Sequence, residues 1–111
     1  VERFIRGDIV VLPFPFSDFS AAKRRRALVL ATPGGDDLIL LQITSQQIRD
    51  SYAVSISSED FACGSLRKDS NVRPNRIFSA CNNLILYRAG RLSENKLKEI
   101  LNAVLKILEK D

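Results

Sequence analysis

The sequence predicts a mainly β protein with some α structure, a small antiparallel β-barrel of short strands followed by a C-terminal amphipathic helix. Three observations carry this reading. Short apolar runs rich in β-branched and aromatic residues recur from Ile9 to Tyr87. Turn-forming residues separate them, most plainly at Pro33-Gly34-Gly35-Asp36. Only after Ser93 does the apolar spacing change to three and four residues, the period of a helix.

Taken in order, Arg6-Gly7-Asp8 reads as a turn and residues 9–14 as the first strand, expected to leave regular pairing at Pro13 and Pro15. Residues 17–22 read as a loop. Residues 27–31 and 38–44 are nearly continuous apolar runs flanking the Gly-rich turn, a hairpin in the middle of the sheet. Residues 52–56 give a weaker strand, Val72 with residues 77–80 a strand pair or one bent strand, and residues 84–87 the last. The helix has Ser93 as N-cap, Glu94 in its first turn, and Leu92 and Leu97 at the positions of a hydrophobic staple. Leu97, Ile100, Leu101, Val104, Leu105 and Leu108 then share one face, expected to pack on the barrel.

Residues 1–111 are expected to form one domain, long enough for a single core. Seventeen Lys and Arg against thirteen Asp and Glu give a net charge of +4 and a pI near 9.4, which suits contact with a polyanion at one face. No apolar stretch approaches the ~20 residues that span a bilayer and no leader is evident, so a cytoplasmic protein without membrane contact is expected. Cys63 and Cys81 lack the spacing of a zinc or redox motif and read as free thiols. With no histidine and no clustered carboxylates, a metal site has few ligands to draw on, and no cofactor is implied.

The stretch most suggestive of chemistry is Lys23-Arg24-Arg25-Arg26, which runs directly into the apolar ALVL segment. Arginines tied to the first residues of a buried strand have their stems positioned by the fold, so a guanidinium fork can meet a phosphate in one defined geometry. The alternative is a solvated charge run that keeps a strand edge soluble.

Four pieces occur in a fixed order: GDIV followed by PFPFSDFS, KRRRALVL, ITSQ, and the basic segment SLRKDSNVRPNRIFSA ahead of the helix. In that order the chain resembles the MazF/PemK toxins of type II toxin-antitoxin systems, from residue 7 to about residue 104. The resemblance implies an SH3-like barrel of five to seven strands with a C-terminal helix, acting as a homodimer with single-stranded RNA across the two-fold interface. It further implies an endoribonuclease, an mRNA interferase that cleaves without a metal. The ribose 2′-hydroxyl is the nucleophile, leaving a 2′,3′-cyclic phosphate and a 5′-hydroxyl. A cognate antitoxin would block the RNA groove, and the complex would bind DNA.

By position in the family motif, Arg25 is implied to stabilise the phosphate and to be a candidate proton donor to the leaving 5′-oxygen. Thr44 is implied to donate its hydroxyl to a non-bridging oxygen, where a strand-end hydroxyl otherwise bonds its own backbone. Arg73 is the third catalytic candidate. Where some members carry an aspartate two residues on, this chain has Asn75, which removes a carboxylate able to assist deprotonation of the 2′-hydroxyl. Arg26 stands where proline is usual. Lys23, Arg24, Arg26, Ser45, Gln46, Asn75, Arg76 and Phe16 are the expected RNA contacts, and Phe19 and Tyr52 are candidates to stack on bases. Two other classes fit the same residues: a catalytically weak RNA- or antitoxin-binding member of the fold, and a CcdB-like toxin acting on a protein.

Overall fold

The computed structural model describes residues 3–14, 23–46, 51–65 and 69–110, the side chains of Phe14 and Lys23 excepted. Among them are strands β1 (Asp8–Phe14), β2 (Lys23–Ala31), β3 (Asp37–Thr44), β4 (Val54–Ile56), β5 (Phe61–Gly64), β6 (Ser70–Cys81) and β7 (Tyr87–Leu92), followed by helix α1 (Glu94–Glu109). The seven strands form one antiparallel sheet in the order β4, β6, β3, β2, β1, β7, β5.

The sheet is curled. Ile9, Leu28, Leu41, Ile43, Val54, Val72 and Leu92 join in one cluster with Ile100 and Val104 of α1, although β4 and β7 lie far apart in the sheet order. Such a meeting requires the sheet to wrap toward a barrel, with the helix filling its mouth. Val10, Leu12, Ala27, Val29, Leu38 and Leu40 form a second cluster with Phe4. The register puts these strand residues on the opposite face: Ile9 pairs with Leu28, and Val10 with Ala27.

The expected hairpin is present, with β2 and β3 at the centre of the sheet. β2 begins earlier than its apolar run, because Lys23 to Arg26 pair with Phe14 to Val11. Hydrogen-bonding needs of a strand are met by the backbone, so a charged tetrapeptide joins the ladder when its neighbour is present. β1 accordingly stays paired through Pro13, opposite Arg24, rather than leaving the sheet there.

Other expectations are corrected. The last strand is Tyr87–Leu92, not the run at residues 84–87; Asn82–Leu84 instead form a turn of 3-10 helix. β5 went unread in the sequence because its four residues carry little pattern and pair with β7. In α1, Ser93 caps as expected, its hydroxyl accepting from the Lys96 N–H at 3.4 Å, and Leu97 packs on the same cluster as Leu92. Leu105 and Leu108 are 51% and 66% exposed, so the packed face is centred on Ile100 and Val104 instead.

The fold's buried polar anchor is Asp8, which is fully buried. Its carboxylate accepts from the Ile5 N–H at 2.9 Å and from Arg91 Nε at 2.9 Å, with Arg88 Nη1 at 3.5 Å. Gly7 beside it has φ of 98°, and its N–H and C=O bond Val29 and Leu92, so the turn ties β1 to the strands on both sides.

Candidate functional site

The alternation of β2 divides the basic run. Arg25 lies on the face of Ala27 and Val29, whereas Arg24 and Arg26 lie on the opposite face, Arg26 in line with Leu28. The run is therefore two sets of cations on two faces, not one patch. Arg25 and Arg26 are half-buried and Arg24 is exposed.

Arg25 belongs to a row of polar residues that crosses the sheet. It pairs with Leu12 in β1. Extending the β2–β3 register two residues beyond its last pair, Ala27 with Gln42, brings Arg25 level with Thr44. Thr44 pairs with Asn71 in β6, and Asn71 pairs with Ser55 in β4. A second row lies one pleat along, where Gln42 pairs with Arg73. Arg25, Thr44 and Arg73 thus share one face, at the polar end of the second apolar cluster. Neither row contains a carboxylate.

A wide bulge in β6 makes this arrangement. Leu41 pairs with Ile77, but the next residue, Gln42, pairs with Arg73, so Pro74, Asn75 and Arg76 are extra on the β6 side. Pro74 has no N–H to give the ladder and is fully buried, which explains why pairing breaks here. Asn75 and Arg76 are pushed out and exposed beside the two rows. Of the two readings left open for this region, a strand pair or one bent strand, the structure has one strand interrupted by a bulge.

At the end of β3, the Thr44 hydroxyl oxygen accepts from the Gln46 N–H at 3.1 Å. This is the local backbone bond expected of a strand-end threonine. It leaves the hydroxyl proton available for another acceptor, since a hydroxyl both accepts and donates. Ser45 and Gln46 are exposed in the turn that follows. The Asn71 amide donates to the Gln46 carbonyl at 3.2 Å and accepts from the Ser55 hydroxyl at 3.2 Å. Asn71, Ser55 and Gln42 were missed in the sequence; only their register with Thr44 and Arg73 singles them out.

Phe16 and Phe19 lie outside the described residues, as does the Lys23 side chain. Tyr52 is turned to α1, where its hydroxyl accepts from Lys110 Nζ at 3.2 Å. Cys63 and Cys81 are free thiols, as expected. Among the described residues no helix is long and apolar enough to cross a membrane.

Among the described residues, this face is built of arginine, hydroxyl and amide groups without acidic residues, which suits an anion that presents several oxygens, above all a phosphodiester. The same frame occurs in solved toxin structures. An endoribonuclease in complex with its cognate antitoxin, from mycobacterial species, superposes with a TM-score of 0.78 at 12% identity over 98% of both chains. The MazE–MazF complex of Deinococcus radiodurans gives 0.75 at 16% identity over the whole of both chains. The toxin MazF-mt6 of Mycobacterium tuberculosis gives 0.73 at 15% identity over 94% of this chain and 98% of that one. At these identities the likeness speaks for the fold. Among curated proteins, none matches the chain. The family is set by the sequence itself: residues 5–108 match the PemK-like, MazF-like toxins of type II toxin-antitoxin systems, and the chain belongs to that family.

Proposed function

We propose that the protein is the toxin of a toxin-antitoxin pair and a sequence-selective endoribonuclease that cleaves single-stranded RNA. The observation that carries this reading is the common face of Arg25, Thr44 and Arg73 across three adjacent strands. In the reaction, the ribose 2′-oxygen forms a bond to the adjacent phosphorus while the bond from phosphorus to the 5′-oxygen breaks. The 2′ proton passes to solvent and the 5′-oxygen takes up a proton, giving a 2′,3′-cyclic phosphate and a 5′-hydroxyl.

Charge grows on the non-bridging oxygens in the transition state, so donors already fixed at that position lower the barrier. Arg25 and Arg73 are assigned to the phosphate, with Arg25 also facing the leaving oxygen, and Thr44 donates its free hydroxyl proton to a non-bridging oxygen. Ser45, Gln46, Asn75 and Arg76 flank the rows and are assigned to the RNA, with Arg24 and Arg26 as contacts from the other face. The working form is a homodimer whose groove spans both copies, and a cognate antitoxin covers it; an endoribonuclease of similar fold is solved in complex with its cognate antitoxin, and a MazF with MazE.

Incubating the purified chain with mixed RNA in EDTA and mapping the ends tests this reading. Cleavage leaving cyclic phosphate and 5′-hydroxyl ends is expected, and intact RNA would overturn it. One observation favours a second reading: among the described residues, Asn75 and the two rows offer no carboxylate as general base, which would suit a slow enzyme or an RNA-binding member of the fold.

A further inference from the structure

We infer that Asn71 is a positioning residue, acting on the reacting phosphate through the Gln46 peptide and the Thr44 hydroxyl. This rests on the reading of Thr44 as a phosphate donor. Gln46 is held at both ends of its own backbone: its N–H donates to Thr44 Oγ1 at 3.1 Å, and its carbonyl accepts from Asn71 Nδ2 at 3.2 Å. A carbonyl only accepts, so the Asn71 atom facing it must be the NH₂ group. The amide oxygen then points at Ser55, whose hydroxyl donates to it at 3.2 Å. The four residues form a directional chain of donors from Ser55 through Asn71 and Gln46 to Thr44.

The register explains why the chain meets there. Ser55, Asn71 and Thr44 stand in one row across β4, β6 and β3, so Asn71 is the direct cross-strand neighbour of Thr44. The turn that carries Gln46 leaves β3 beyond the last ladder pair, Thr44 with Asn71. Asn71 holds the peptide that follows Gln46 by its carbonyl, while Thr44 receives the N–H of the peptide before it, so the two bonds restrain the Gln46 backbone between them. With the Gln46 backbone held on both sides, its N–H occupies one lone pair of the Thr44 hydroxyl, and the hydroxyl proton is left aimed away from the turn.

A double-mutant cycle separates this from a general structural role. Single-turnover cleavage at saturating RNA is measured for the parent, Asn71→Ala, Thr44→Ala and the double variant, with affinity read from a 2′-deoxy RNA that cannot react. Asn71→Ala is expected to slow cleavage about 10-fold, the scale of one lost hydrogen bond. Affinity should stay within about 2-fold, and no further loss should appear in the Thr44→Ala background. Amide exchange at Gln46 should speed up without RNA present. An equal loss from Asn71→Ala in both backgrounds, or unchanged exchange at Gln46, overturns the inference while leaving Thr44 in its role. Parent-like cleavage by Thr44→Ala overturns both. Ser55→Ala, which removes only one hydroxyl, gives the same test in a milder form: a loss masked by Thr44→Ala supports the chain, and an unmasked loss overturns it.

Discussion

Asp8 and Arg91 stand 83 residues apart in sequence and are joined by a 2.9 Å hydrogen bond from Nε to Oδ1. The bond fastens the first residue of β1 to β7, next to the register shift between Ile9 and Val10. The hydrogen bond to Asp8, and next the Coulomb attraction to it, raise the Arg91 pKa above its ordinary value. A raised pKa means stabilisation that is complete below the unfolded-state value and lost only as pH climbs through the folded one. Asp8→Asn should cost about 1–3 kcal/mol, less than the ~3–5 kcal/mol of breaking a fully buried pair because both arginines reach solvent. Urea unfolding checks it, and the deficit should not narrow on going from pH ~7 to ~9, since Arg91 stays charged throughout.

Arg25→Ala should lower cleavage about 10²–10³-fold with folding preserved, the scale for losing one oxyanion donor. Lysine should restore little, because it keeps the charge and loses the fork. Parent-like cleavage by Arg25→Ala would remove it from the mechanism, whereas Arg24→Ala, on the other face, should mainly weaken RNA binding.

Asn75→Asp is the direct probe of the missing carboxylate. The side chain stands exposed in the bulge beside Arg73, so a carboxylate there can reach the acid-free rows without being buried. A gain of up to about 10²-fold that titrates with a carboxylate pKa is expected in single-turnover cleavage against pH. A flat or lower rate would mean that Asn75 reads a base or holds the bulge.

Three positions test the frame. Gly64 has φ of 73°, and a Cβ there would run into the Ala89 carbonyl and come within 2.6 Å of the Gly90 Cα. Gly64→Ala should therefore destabilise by about 1–3 kcal/mol, read as a fall in Tm. On α1, Ile100→Ala should cost about 2–5 kcal/mol and Leu108→Ala within about 0.5, matching their burial.

The elements read correctly from sequence were those whose signal is local. Ser93 caps α1 by a bond to its own first turn, and the hairpin of β2 and β3 follows from two apolar runs around Gly34 and Gly35. What could not be read was set by partners distant in sequence. Arg88, Gly90 and Arg91 have no strand pattern of their own, yet they form β7 because β1 and Asp8 receive them. The division of Arg24 to Arg26 between two faces needed only the knowledge that they lie within a strand, whose apolar run begins only at Ala27. Asn71 and Ser55 gave no sequence signal, since their meaning lies in their register with Thr44.

The bulge in β6 also inverts phase. Counting inward from Ile77 by strict alternation puts Arg73 on the face of Leu41, toward α1 and the filled barrel; the three extra residues carry it to the face of Gln42. The length of this segment is thus a constraint in its own right, separate from what its side chains do. With the ladder closed, removing one residue between Arg73 and Ile77 would bring the arginine level with Thr44 instead of Gln42, and removing two would turn it inward beside Ile43, even if every functional group were kept. Substitutions at Asn75 are tolerable in a way that deletions are not, and reading frame along the strand, rather than chemistry alone, limits how this site can change.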